Sequence, residues 1–217
     1  MRKLLIIFVV AMVLVGSAMA QGSWYPKRTG TTPIASDAGS NLEGFVAIQT
    51  IPVAETSDDD QIVNGASLNS TTPLALDPTR SQFLDQPDVP RCLLVTPSDV
   101  VTTAIKFTGT DISGATITEW VNFTASSTAV TTTKAFKTVS LINATTTGTT
   151  RTVKIGTADK LGLNTKLAIN TVLLAALNDT KEATAPAVTV NSTVLSLNTI
   201  DTNTAPGGKV TKVWYIV

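Results

Sequence analysis

The chain has 217 residues, room for one domain of ordinary size with extensions. It is 43% hydrophobic but only 15% charged and 5% aromatic, and its formal net charge is zero. Average proteins are about 25% charged, so the surface has to be built from neutral polar groups, and threonine, serine and asparagine supply them. Zero net charge, with no run of Lys or Arg past the extreme N-terminus, leaves no electrostatic footprint for nucleic acid. The absence of histidine excludes Ser-His-Asp and Cys-His nucleophiles and imidazole-bound zinc or copper. The single cysteine, Cys92, cannot close an internal disulfide or build a thiolate cluster. It reads as a small buried hydrophobe in a strand. No cofactor is expected.

Residues 1–20 read as a secretory signal peptide. Arg2 and Lys3 start it, Leu4–Val15 is unbroken apolar chain, and a small-residue stretch ends in AMA, which predicts cleavage after Ala20. The alternative is an uncleaved N-terminal anchor, although the apolar run is short of the ~20 residues a spanning helix needs. Gln21 stands where a lipoprotein would carry cysteine. The chain ends in KVTKVWYIV without a hydrophobic tail or sorting motif. The expected product is exported, without a stable membrane span after cleavage, and is extracellular or held on a cell surface or virion by non-covalent contacts.

Residues 21–90 hold seven of the ten prolines and the acidic run Asp58–Asp60. Proline fixes φ and removes a ladder donor, so this segment is predicted to be an extended arm with one or two strands, of which Phe45–Ile51 (FVAIQTI) is the convincing one. The arm is expected to lie along its own domain or a neighbouring subunit. Asp58–Asp60 could offer calcium its oxygen ligands, but adjacent aspartates lack the alternating spacing of a true site, and a solvated loop is the better reading. Asp201 and Asn203, near Gly207 and Gly208, have a similar weak claim.

From Arg91 onward, short β-rich runs recur between turn signals. RCLLVTP is the first. In VVTTAIKFTG, Val101, Ile105 and Phe107 share one face, with Thr102, Ala104 and Lys106 on the other. Asp111 and Gly114 mark a turn. In ATITEWVNF, Ile117, Val121 and Phe123 oppose Thr116, Thr118, Trp120 and Asn122. Further strands are predicted near 128–133, 136–142 and 150–155, in VTVNSTVLSL and in the closing KVTKVWYIV. Phe136 and Val139 fall on opposite faces, which a bulge or a strand buried on both sides would explain. NTKLAINTVLLAALNDT fits a helix or a buried strand, and its neighbours favour strand. GTADKLGLN lacks the phosphate-loop spacing and reads as a tight loop. Threonine dominates because its branched Cβ suits a pleated strand while its hydroxyl faces water without charge. The fold class is therefore all-β: an antiparallel β-sandwich over 91–217, jelly-roll or Ig-like, preceded by the arm.

The spans IKFTGTDISGATITEWVNF and TTTKAFKTVSLI, with VKIGTADKLGL, KEATAPAVTV and the final KVTKVWYIV, carry a likeness. Over about 88–217 the chain resembles β-rich virion structural proteins, of head-decoration or tail-associated type, encoded by tailed phages and prophages. The resemblance implies a virion component with no catalytic residues to carry over. The leader is a departure from that group. It points to an exported cellular relative, or to a virus whose coat protein passes a membrane.

Five Asn-x-Ser/Thr sequons occur, at Asn69, Asn122, Asn143, Asn178 and Asn191. A secretory leader gives such motifs their context for glycosylation. Asn143 and Asn178 are predicted at exposed turns, Asn122 and Asn191 in strands. Glu119 beside Trp120 invites comparison with a glycosidase, but that chemistry needs two carboxylates at a set separation, and only Glu119, Glu182 and scattered aspartates are present. Trp120, Trp214 and Tyr215 read as core or sheet-face packing. The expected function is a non-enzymatic exported structural protein that forms a homo-oligomer, or binds capsid or envelope proteins, through its arm and sheet edges. The alternative is an extracellular carbohydrate-binding or adhesion module with glycans as partners.

Overall fold

The computed structural model describes residues 34–35, 41–42, 46–68, 74–145 and 151–217. The leader, with its cleavage point after Ala20, and the sequon at Asn69 lie outside them. Two compact units are present, Met1–Phe45 and Val46–Val217. In the first, β1 (Ile34–Ala35) pairs antiparallel with β2 (Asn41–Leu42).

The second unit is built from β3 (Val46–Ala54), β4 (Asp58–Leu68), β5 (Leu74–Leu76), β6 (Arg91–Pro97), β7 (Val101–Thr110), β8 (Thr116–Ser126) and β9 (Val130–Phe136). It continues with β10 (Thr138–Ala144), β11 (Arg151–Gly162), β12 (Val172–Leu177), β13 (Thr180–Lys181), β14 (Ala187–Thr189), β15 (Thr199–Asp201) and β16 (Lys209–Ile216). A single 3-10 turn, Leu195–Leu197, is the one helical element among the described residues of this unit. All pairings are antiparallel. The fold is all-β and sandwich-like.

Three sheets make the unit: β5-β10-β7-β8, β14-β15-β11-β6-β9, and β13-β12-β16-β3. The long strand β11 ties them together. Its first half, Arg151–Thr157, pairs with β4 on one side and β6 on the other, and its last residues, Lys160–Gly162, exchange β4 for β15. The hydrophobic core divides accordingly. Ile62 and Leu68 of β4, Leu93 and Val95 of β6 and Val153 and Ile155 of β11 pack with Ile105 and Phe107 of β7 and Val121 and Phe123 of β8. A second cluster sets Leu161 of β11 and Ile200 of β15 among Ile51, Ala175, Val213 and Tyr215 of the third sheet. Burying such side chains contributes about 1.5–3 kcal/mol each, which matters in a chain that has no disulfide.

The alternations in β7 and β8 place the residues as the sequence implies: Val101, Ile105, Phe107, Ile117, Val121 and Phe123 are buried. The connecting turn is closed by Asp111, whose Oδ1 accepts N–H bonds from Ser113 (2.9 Å) and Ala115 (3.0 Å), while Gly114 takes a positive φ of 84°. The opposed faces of Phe136 and Val139 have a simple cause. The chain changes sheets at Lys137, so β9 pairs with β6 and β10 with β7, and both side chains enter the same core. Gly109 permits the crossing, because a Cβ there would lie 1.9 Å from the Thr138 carbonyl oxygen.

Three expectations need correction. The segment 21–90 is not all arm: β3, β4 and β5 are paired into the sheets, and the compact unit begins at Val46 rather than Arg91. Pro52 is tolerated because it falls in a bulge where Pro52 and Val53 of β3 oppose Val210 alone of β16, an irregularity that needs no ladder donor there. GTADKLGLN is strand through Gly162, since its Thr157 and Ala158 are buried against β6 and β4 rather than exposed as in a loop. VTVNSTVLSL is strand only at its start. Asn191 Oδ1 accepts N–H bonds from Thr193 (2.9 Å) and Val194 (2.7 Å), a local turn that competes with ladder pairing. Leu167–Asn178, open between helix and strand from its periodicity, carries β12.

Candidate functional site

A shallow groove of about 430 Å³ runs past Ser57, Leu94, Thr131–Thr133, Ala158–Lys160 and Asp201. A second hollow, of about 610 Å³, continues from it along Glu55–Asp59, sharing Ser57 and Leu94. Below them lies Arg91, fully buried at the start of β6. Its Nε donates to the Ala158 carbonyl (2.6 Å) and its Nη1 to the Glu55 carbonyl (3.1 Å) and Asp88 Oδ1 (3.1 Å). Its Nη2 lies 3.6 Å from Asp159 Oδ1. Removing a guanidinium from water is costly unless it is paired and hydrogen-bonded. Here Asp88 and two carbonyls hydrogen-bond Nε and Nη1, while Asp159 faces Nη2 as a charge without hydrogen-bonding it, and the three segments that supply these groups are tied to β6.

Asp58, Asp59 and Asp60 come closer together than the strand alternation suggests: one carboxylate oxygen from each lies within 4.8 Å of the others. The cause is register. Between the pairs Val63↔Ile155 and Asp58↔Thr157, four residues of β4 stand against Gly156 alone on β11, so the acidic run bulges. Gly156 makes room for the bulge, since a Cβ there would sit 1.7 Å from the Asp58 carbonyl oxygen. The carboxylates already have a cation. Lys154 Nζ lies 3.3 Å from Asp59 Oδ2 and 3.3 Å from Asp60 Oδ2, and bonds to Asp60 and Asp59 raise its pKa. An ammonium in that position disfavours a calcium ion at the same oxygens.

Glu119 is engaged by the backbone of β9. Its Oε1 accepts from the Thr133 N–H (2.6 Å) and hydroxyl (2.9 Å), and its Oε2 from the Lys134 N–H (2.8 Å). Glu182, after β13, accepts instead from the Thr204 N–H (3.1 Å). The two glutamates weighed as a pair thus belong to different seams. Cys92 is fully buried, and that burial pushes its thiol up to about 12 from an ordinary 9.0. Asp77, at the surface turn after β5, is held low by the Thr79 hydroxyl and N–H.

Of the sequons, Asn122 is exposed on the outward side of β8. Asn178 is exposed at the β12–β13 turn, with a positive φ of 47°. Asn143, expected at a turn, instead lies half-buried within β10, opposite Lys106 and Ala75. Asn191 is half-buried in the turn it closes. Tyr215 is buried, with its hydroxyl 2.7 Å from Asn164 Oδ1, whereas Trp120 is 52% exposed on β8 with Lys106 Nζ 5.7 Å from its ring centre. Pairing continues that row across the sheet from Trp120 to Lys106, Asn143 and Ala75.

Nothing in the sequence pattern marks Arg91, a lone charge at the head of an apolar run, or two buried amides. Gln49 joins the sheets by donating to the Gly162 carbonyl (3.2 Å) and accepting the Asn164 N–H (3.0 Å). Asn198, fully buried, accepts from Leu167 and Asn191 and donates to the Asn191 and Val194 carbonyls. Among the described residues no helix is long and apolar enough to cross a membrane. Compared with family models, curated proteins and solved structures, the chain matches none.

Proposed function

We propose that the chain is an exported, non-enzymatic structural protein of a virion or cell surface that self-associates through its N-terminal segment and sheet edges. The observation that supports this most is what the charged side chains do. Asp59 and Asp60 hold Lys154, Asp88 and Asp159 hold Arg91, and Glu119 holds the backbone of β9. Groups that would carry chemistry are spent on the scaffold, and the outward positions of β7 and β8 are largely threonine, asparagine and lysine. Neutral surfaces of this kind suit contact between copies, since they carry no field that repels a like partner. The virion half of the reading rests on the sequence motifs alone. Light scattering on the chain lacking residues 1–20 tests the proposal: assemblies larger than one copy are expected, and a monomer at every concentration overturns it.

A second reading, a carbohydrate-binding or adhesion module, is favoured by the exposed Trp120 and its row with Lys106 and Asn143. An aromatic ring beside hydrogen-bonding groups on a flat sheet matches the faces of a sugar. A glycan array comparing the chain with Trp120→Ala decides it: glycan binding lost in the variant supports this reading, and no binding by either removes it.

A further inference from the structure

The sheet β13-β12-β16-β3 ends at β3, and the edges of this unit are not alike. An open strand edge is a row of unpaired backbone donors and acceptors, and natural proteins shorten, charge or cover such edges. Here β5, β13 and β14 are only three, two and three residues long. The edges of β8 and β9 are joined to each other by Glu119. The outer side of β4 is covered by the following chain, with Leu84 N–H on the Ile62 carbonyl at 2.8 Å and a bridge from Val63 to Phe83. β3 alone among the described edges is nine residues long, carries no charged side chain, and has no strand on its far side. Its outward residues Val46 and Ile48 are 51% and 58% exposed, and they continue an apolar face through their pair partners Ile216 and Trp214.

We propose that β3 pairs antiparallel with β3 of a second copy of this chain, extending the sheet across a two-fold axis. The inference rests on the self-association reading above and names the surface responsible. A second copy fits better than a different protein for two reasons. A two-fold contact sets each side chain near its own counterpart, so a charge at the axis would meet its like, and β3 has none. In addition, residues 21–45 run directly into Val46. The five-residue pairing Val46–Thr50 alone falls short of the about 800 Å² per partner of a stable interface, and residues 21–45 are the length of chain available to extend it.

The register is constrained as well. Opposite residues of an antiparallel pair point to the same side, so outward Val46, Ile48 and Thr50 must face outward residues. The axis therefore passes through a residue rather than between two. Centring on Ile48 sets Val46 against Thr50, keeps both Ala47 and Gln49 inward, and leaves Pro52 outside the pairing.

The experiment uses the chain lacking residues 1–20. Ile48→Cys is expected to form a disulfide-linked dimer on mild oxidation, and Leu84→Cys, equally exposed on the covered side, is not; native Cys92 is buried and does not compete. Ile48→Lys with Thr50→Lys is expected to weaken association at least tenfold by light scattering. Cysteine is a small change at an outward position, so the cross-link stays readable even if the lysine variant fails to fold. An oligomer that survives the lysines with Ile48→Cys unlinked overturns the β3 pairing while leaving self-association standing. A chain that is monomeric throughout overturns both.

Discussion

The Glu119 carboxylate on β8 and the backbone N–H of Thr133 on β9 are 2.6 Å apart, and this bond crosses from one sheet of the sandwich to the other. With the Lys134 N–H at 2.8 Å on the second oxygen, and Lys134 Nζ returning to the Thr118 carbonyl at 2.6 Å, two strand edges that would otherwise be open are closed by one side chain. Charged acceptors make the stronger hydrogen bonds. Glu119→Ala is expected to cost about 2 kcal/mol, and Glu119→Gln less, because the amide keeps one acceptor. Urea denaturation measures both; equal midpoints for all three proteins would mean the seam is held by something else.

Arg91 offers a sharper test, because nothing else in the chain can replace its fork. Nε and Nη1 reach two carbonyls and Asp88 from a fully buried position. Arg91→Ala leaves Asp88 and Asp159 without their cation and is expected to destabilise by about 3–5 kcal/mol. Arg91→Lys should recover little, since an ammonium cannot reach the same set of oxygens. Thermal unfolding of the two variants, with lysine close to wild type as the contrary result, settles whether the fork or only the charge matters.

Gly156 links the acidic bulge to the core. Any side chain there collides with the Asp58 carbonyl 1.7 Å away, and the atom in the way is backbone, which cannot swing aside. Gly156→Ala is expected to cost about 3 kcal/mol or more, against a few tenths for Gly65→Ala if space alone mattered. Gly65, however, has open space but a φ of 71°, so its alanine variant is strained by conformation, at about 1 kcal/mol. Measuring both variants separates collision from backbone strain, and the predicted order is Gly156 well above Gly65.

β7 and β8 are legible in the sequence because their period is two and their burial one-sided: Val101, Ile105 and Phe107 alone announce β7. What is not legible has a common cause, since proline and glycine in a sequence look like interruptions. Pro52 sits in a paired strand at a bulge, and Gly156 and Gly162 mark places where other chain segments lie against β11, not a loop. The site was less visible still. The pairing of Lys154 with Asp59 spans 95 residues, and that of Arg91 with Asp159 joins distant strands. Neither leaves a local spacing to find.

Cys92 makes the chain's alkaline behaviour predictable. Its folded thiol is pushed up to about 12 by burial, against an ordinary 9.0. The neutral form is therefore favoured in the folded state, and between about pH 9 and pH 12 the unfolded chain has released a proton that the folded chain keeps. Stability from this group is fully present below pH 9 and falls by about 1.4 kcal/mol per pH unit through that window. Cys92→Ala should lack that component. In the native protein at pH 8 a thiol reagent should label Cys92 only at the rate of unfolding; labelling as fast as a free thiol would contradict its burial.

Truncation tests where the folded unit begins. β3 supplies Ile51 and Ala54 to the second core cluster and pairs with β16 from Val46 to Ala54, while β4 supplies Ile62, Val63, Ala66 and Leu68 to the first. A chain starting at Val46 retains every one of these contacts. It is expected to unfold cooperatively, with a β-type circular dichroism spectrum. A chain starting at Arg91 loses β3, β4 and β5 and, with Leu76, Phe83 and Val89 added to those six, nine buried apolar side chains. At about 1.5–3 kcal/mol for each large apolar group returned to water, the loss reaches or exceeds the 5–15 kcal/mol by which domains of this size are stable. That chain should be insoluble or unfolded. Limited proteolysis of the longer chain gives an independent check. Cleavage is expected to stop before β3, and a stable fragment beginning near Arg91 would show that β3 and β4 are additions to the sandwich rather than part of it.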